Sequence, residues 1–130
     1  MEDRKNEATP QRPEGDRLIE APLVLMNLTQ SIEQLRNEPT WQTSDRNAIT
    51  LFKSESMRIV LMGLHKDALL KTHTANGTIS VQVLEGKMQF KANNQDSVLD
   101  RGQMLTLQKQ IPHSVLAIEE TFFLLTMAMS

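Results

Sequence analysis

The chain has 130 residues, enough for one domain with its own core and too few for two comfortable ones. Its 14 basic and 16 acidic side chains give a net charge of −2, which argues against the broad positive field that draws a protein to nucleic acid or to an anionic membrane. The lack of cysteine excludes disulfides, thiolate metal ligands and a cysteine nucleophile, and one Trp, no Tyr and four Phe leave little aromatic surface for stacking bases.

Residues 1–18 hold two prolines, one glycine and nine charged side chains, with no apolar periodicity. Such a segment buries too little to offset its ordering entropy, so residues 1–20 are expected to form a flexible charged tail. The same stretch lacks the apolar core of a signal peptide, and no run approaches the roughly 20 apolar residues that span a bilayer. A cytoplasmic protein without nucleic-acid or membrane partners is the expectation.

Residues 21–46 read as a short helix and linker. Leu25, Leu28, Ile32 and Leu35 are spaced three, four and three apart, placing them on one helical face. The spacing predicts a helix over 28–36, capped by Asn27 or Thr29 and stopped by Pro39. Its apolar stripe is expected to pack on the main domain.

Residues 47–130 have the texture of strands. Alternating or apolar runs fall at 49–52, 57–62, 69–72, 78–84, 87–92, 97–99, 104–107, 114–118 and 121–127. Gly77, Glu85-Gly86, Asn93-Asn94, Arg101-Gly102 and Glu119-Glu120 punctuate them. Short strands with tight connections imply an antiparallel sandwich or barrel, and the missing βαβ spacing rules out a parallel, nucleotide-binding α/β fold. Alternation puts Ile79, Val81 and Val83 on one face, and His113, Val115 and Ala117 on another. The last run, Phe122 to Met129, is apolar on both faces, so it should be covered by the core on one side and by the helix or a second subunit on the other. A homodimer is the expected assembly.

Residues 49–128 resemble a small single-domain cupin of the RmlC-like type. The resemblance rests on His73, then Gly86 thirteen residues later in Val83-Leu84-Glu85-Gly86, Arg101-Gly102, and Ile111-Pro112-His113-Ser114-Val115. It implies an all-β, cupin-type double-stranded β-helix (jelly-roll) barrel with a short N-terminal helix. Metal-binding cupins resembling this chain present two histidines and a glutamate before the first glycine, and a third histidine after the second. Here His73 and His113 match, while Ala75 stands at the second histidine position and Ile79 at the glutamate position. Gln108 replaces a usual proline. Two imidazoles fall short of the three or more side-chain ligands that retain a divalent ion, so the resemblance implies a degenerate metal site.

Three readings of His73 and His113 stay open: a hydrogen-bonded remnant pair, recognition of a small polar or anionic ligand, and a metal (iron, manganese, nickel or zinc) completed by Gln89, Gln103 or water. The expected pocket comprises His73, His113, Ala75, Ile79, Val81 and Val115. His65, in Leu64-His65-Lys66-Asp67, reads as a surface histidine in a turn, and the methionines read as core fillers. Trp41 and Phe52 either line a pocket or bridge to the helix. No Gly-x-Ser-x-Gly elbow or phosphate-cradling glycine loop is present, so no catalytic residue is assigned. The leading expectation is a small-molecule-binding or accessory protein without a resident cofactor, holding an unknown small molecule near the two histidines. The alternative is a metal-dependent enzyme, an oxygenase or isomerase, built on His73 and His113.

Overall fold

The computed structural model describes residues 4–6 and 17–129. Two short strands, β1 (Arg4–Asn6) and β2 (Arg17–Glu20), pair antiparallel, and then come two helices, α1 (Leu28–Asn37) and α2 (Pro39–Thr43). The remaining strands are β3 (Arg46–Lys53), β4 (Met57–Leu64), β5 (Leu69–His73), β6 (Ile79–Glu85), β7 (Lys87–Ala92), β8 (Gln95–Asp100), β9 (Met104–Leu107), β10 (His113–Ala117) and β11 (Thr121–Ala128). They form a four-stranded sheet ordered β5-β10-β7-β8 and a five-stranded sheet ordered β3-β4-β11-β6-β9. Every strand pairing is antiparallel, as the punctuation of the sequence requires.

The turns work for local reasons. Asn93 and Asn94 both take positive φ, 52° and 60°, which fits the tight β7–β8 hairpin, and asparagine tolerates that region better than most side chains. Gly86, between β6 and β7, sits at φ 95°, and a Cβ there would run into the Glu120 carbonyl and the Thr121 hydroxyl. Only glycine satisfies both constraints.

Two apolar layers hold the molecule together. Between the sheets lies the barrel core, including Val81 and Val83 of β6, Met88 and Phe90 of β7, Val115 and Ala117 of β10, and Phe123 of β11. The opposite face of the five-stranded sheet carries Ile49, Leu51, Leu61 and Phe122, which pack on Ile32 and Leu35 of α1 and Trp41 of α2. β11 is thus covered on both faces within one chain, with Phe123 inward and Phe122 under the helices.

The helical layer is tied down by polar contacts as well. Asn27 caps α1 by accepting a hydrogen bond from the Gln30 N–H at 3.0 Å. The buried Asn47 amide donates to the Leu35 carbonyl (3.1 Å) and to the Glu38 carboxylate (2.9 Å), which satisfies polar groups at the α1–α2 junction. Arg36 pairs with Glu33, Glu85 and Glu120 and lies 4.7 Å from the Phe122 ring centroid, so it clasps α1 to two turns of the barrel.

Several expectations shift. Most of the tail expected over residues 1–20 lies outside the described residues, but 17–20 form a strand in which Ile19 and Glu20 are buried. Leu25 precedes α1 and is exposed, so the apolar stripe begins at the half-buried Leu28. Met88 is fully buried as a core filler, whereas Met104 is exposed. No helix among the described residues is long and apolar enough to cross a membrane.

The energetics of the helical layer rest on Phe122 more than on Arg36. Phe122→Ala removes a fully buried ring and should cost about 3–5 kcal/mol in urea unfolding. Arg36→Ala removes partly exposed ion pairs and a cation–π contact and should cost about 1 kcal/mol. Comparable losses from the two variants would contradict this division.

Candidate functional site

His73 ends β5 and His113 begins β10, and the backbone register pairs them directly. Their rings meet edge to face, with centroids 4.3 Å apart and planes inclined at 60°. Phe90, inward-facing on β7, stacks nearly parallel on His113 at 5.4 Å. His113 is buried, and His73, on an edge strand, is exposed. The pair therefore sits where the four-stranded sheet meets solvent, one ring supported by the core and one open.

Each ring is oriented by its own backbone. His73 Nδ1 lies 2.7 Å from the Lys71 carbonyl oxygen, and His113 Nδ1 lies 2.9 Å from that of Ile111. A carbonyl oxygen only accepts, so both Nδ1 atoms carry the proton and donate. In the neutral rings the lone pair is then on Nε2, and neither Nε2 has a hydrogen-bond partner among the described residues. Two imidazoles of fixed tautomer thus present acceptor nitrogens at one end of the barrel.

The crossover loops that flank the pair are tied together. Gln110, at φ 66°, donates its backbone N–H to the Ala75 carbonyl (2.9 Å) and its side-chain amide to Asn76 (3.0 Å). Sequence reasoning missed both Gln110 and Phe90 as site-shaping residues. Phe90 was legible as an inward residue by alternation, but its stacking partner depends on the register of β7 against β10.

Of the expected pocket, Ile79, Val81 and Val115 are buried in the barrel core, and Ala75 packs against that core from a partly buried position. Ile79 is 3% exposed, so the position where related motifs place a carboxylate is apolar and dry. The two amides proposed as extra ligands are not brought to the histidines. Gln89 pairs with Leu116 and Val98, on the face of the sheet opposite His113 and Phe90. Gln103 accepts the Asp100 N–H at 2.8 Å in the β8–β9 turn. No group of three His, Cys, Asp or Glu side chains suited to a metal occurs among the described residues. The donor set at the pair, two imidazole nitrogens above aliphatic side chains with no carboxylate among the described residues, falls short of the three or more side-chain ligands that a resident divalent ion usually takes.

His65 corrects the expectation of a surface histidine. It is half-buried, stacks on Trp41 at 3.7 Å, and donates from Nε2 to the Trp41 carbonyl at 2.7 Å. Trp41 belongs to the helical layer, which settles its role as a bridge between helix and sheet.

Electrostatically the site disfavours a charged His113. Burial lowers the pKa of His113 below its ordinary 6.5; the hydrogen bond to Ile111 opposes this, and the neighbouring His73 adds to the lowering. In the unfolded chain His113 binds its proton near 6.5, before the folded protein does. Its contribution to stability is therefore complete above that pH and is lost as the pH falls through the lower folded value. Replacing His113 with Gln should flatten the pH dependence of unfolding below 6.5, as measured by urea midpoints at several pH values. An unchanged slope in the variant would contradict the burial argument.

Comparison with solved structures places this geometry in a known frame. A conserved protein of unknown function from Streptococcus pyogenes superposes with a TM-score of 0.68 at 22% identity, covering 86% of this chain and 91% of that one. An RmlC-like cupin protein from Desulfovibrio desulfuricans gives 0.59 at 27% identity, over 64% of this chain and 81% of that one. A salicylate 1,2-dioxygenase from Pseudaminobacter salicylatoxidans gives 0.58 at 18% identity, over 64% of this chain and 26% of that one. No protein-family model and no curated protein sequence matches the chain. The fold is that of a small cupin, mostly β with antiparallel sheets and short helices.

Proposed function

We propose that this cupin-fold protein binds a small molecule at the mouth of its barrel, with His73 and His113 as the polar groups that recognise it. The observation that carries the reading is the paired imidazole arrangement, in which both Nδ1–H groups are committed to backbone carbonyls and both Nε2 atoms stay available. Apolar surface around a few convergent polar groups is the usual form of a ligand site. Neutral Nε2 atoms accept from a hydroxyl or a carboxylic acid, and a protonated Nε2 donates to a carboxylate. The ligand class is therefore a small hydroxy- or carboxy-bearing molecule, with its apolar portion toward Ala75.

Recognition is favoured over catalysis because neither ring is hydrogen-bonded to a serine, threonine or carboxylate among the described residues. A histidine-activated nucleophile needs such a contact. Titrating small aliphatic and aromatic carboxylates and alcohols into the protein should shift the ring signals of His73 and His113 by NMR, and His73→Ala should weaken the response. Silence of both rings across the panel would sink the reading.

The rival reading is a metal-dependent enzyme, of the general sort that the dioxygenase likeness brings to mind. One observation favours it: a metal-ligating histidine typically donates its second N–H to a carbonyl or carboxylate, as both rings do here. Elemental analysis of untagged protein separates the two readings, since near-stoichiometric iron, manganese, nickel or zinc that disappears in His73→Ala supports the rival. The register itself has a constructive test. Ala75→His combined with Ile79→Glu supplies the missing nitrogen and carboxylate, so zinc should raise the melting temperature of the double variant and not that of the parent chain. A folded double variant indifferent to zinc would show that positions 75 and 79 do not face the histidines.

A further inference from the structure

We propose that Arg58 is the anion-binding group of the barrel mouth, and that the ligand there is a small hydroxycarboxylate. The inference rests on the histidine recognition proposed above and adds to it a cation and a ligand class. Arg58 lies on β4, whose residues Met62 and Leu64 belong to the barrel core, and alternation puts Arg58 on their face. The ladder agrees. Arg58 pairs with Met127 of β11, Met127 with Ile79 of β6, and Ile79 with Leu107 of β9. Residues directly opposite share a face, and the last three all pack in the barrel core. Arg58 thus heads an inward row that is otherwise apolar.

That row lies at the histidine end of the barrel. β5 ends at His73 and β6 begins at Ile79, while β9 ends at Leu107 and β10 begins at His113. The two connecting loops are the ones that Gln110 ties together. β4 also adjoins the sheet edge that carries His73. It leads into β5 through the turn at 65–68, and Arg46 of the neighbouring β3 donates to the Leu69 carbonyl at 3.0 Å.

The guanidinium is unmatched. Arg58 is half-buried, and its Nε–H is buried without an acceptor. Arg58 makes no hydrogen bond or ion pair among the described residues. A long cationic side chain usually buries its stem and keeps its head wet. Here the first N–H of the head is buried too, which costs free energy until something accepts from it. The cross-strand neighbour Lys53 is exposed and adds positive charge. Glu55, in the adjoining turn, is exposed and pairs with neither cation among the described residues.

The polar groups select different parts of one ligand. Arginine only donates, and its fork matches a carboxylate. The neutral imidazoles present Nε2 lone pairs, which accept from a hydroxyl. Met127 and Ile79, beside Arg58 in its row, suit a short hydrocarbon link. A small hydroxycarboxylate satisfies all three. A phosphate dianion fits less well, because one half-buried cation matches one negative charge.

The test is an NMR titration of the full chain with 3-hydroxybutyrate, butyrate, 1,3-butanediol and inorganic phosphate, read on arginine Nε–H and histidine ring signals. 3-Hydroxybutyrate should move the Arg58 Nε–H together with the rings of His73 and His113. It should bind at least about tenfold more tightly than 1,3-butanediol, the size of effect a charge-assisted hydrogen bond supplies. Butyrate should move Arg58 at lower affinity, and phosphate should be the weakest anion. Arg58→Met keeps an apolar stem, so it should bring 3-hydroxybutyrate to the level of the diol. Its urea midpoint should hold or rise, since an unmatched buried donor is removed. A clear fall in that midpoint would make Arg58 a structural residue and overturn the proposal. Equal binding of acid and diol, or tighter binding of phosphate than of 3-hydroxybutyrate, would overturn it while the histidine reading stands. Acid-induced shifts at Arg58 that spare both rings would overturn it together with the histidine reading, as would silence of every signal.

Discussion

The pairing of β5 with β10 decides what this molecule can do. In an antiparallel ladder, residues directly opposite share a face, so the register that sets His113 against His73 makes two imidazoles neighbours. Each ring then spends its Nδ1 proton on a carbonyl two residues earlier in its own chain. That local bond fixes the tautomer without help from a carboxylate, and it leaves two lone pairs at the barrel mouth. A one-residue slip of β10 would turn His113 to the outer face and bring Ser114 and Leu116 inward, so the two imidazoles would no longer meet.

The remaining architecture holds that register. β10 is central in its sheet, flanked by β5 and β7, and its inward residues Val115 and Ala117 belong to the barrel core. Phe90 supports the His113 ring, and Gln110 pins the loop before β10 to the loop after β5. The five-stranded sheet closes the barrel from the other side and is itself backed by α1 and α2 through Phe122, Leu35 and Trp41. Polar groups at the helical junction are satisfied by Asn47 and Glu38, so this layer is specific in its seating as well as apolar.

Much of the fold was legible because its elements obey local rules. Alternation in Ile79, Val81 and Val83 gave the inward face of β6, and paired asparagines and glycines marked the hairpins. The cap at Asn27 and the stop before Pro39 bounded α1. What the sequence hid depends on tertiary partners. Leu25 has helical spacing to Leu28, but it precedes the cap residue and therefore cannot join the stripe. α2 is five residues long, started by Pro39 at its N-terminal turn, and carries no periodicity to read. His65 lies in a polar tetrapeptide that looks solvated, and only the long-range approach of Trp41 gives it a stacking partner. Gln89 is an amide on the strand next to His113, but the pleat turns it to the opposite face. For the site, spacing put His73 and His113 in corresponding places, whereas their tautomers and the neighbours Phe90 and Gln110 required coordinates.

Two imidazoles of fixed tautomer meet at the barrel mouth above an apolar base, and the proposed recognition of a small molecule rests on them. Long-range nitrogen–proton correlation spectra of the histidine side chains test this most directly. The account predicts that the neutral forms of both His73 and His113 carry their proton on Nδ1 and not on Nε2, with spectra indifferent to a chelator. A proton on Nε2 in the neutral form of either ring, or signals that change when EDTA strips a bound ion, would contradict it.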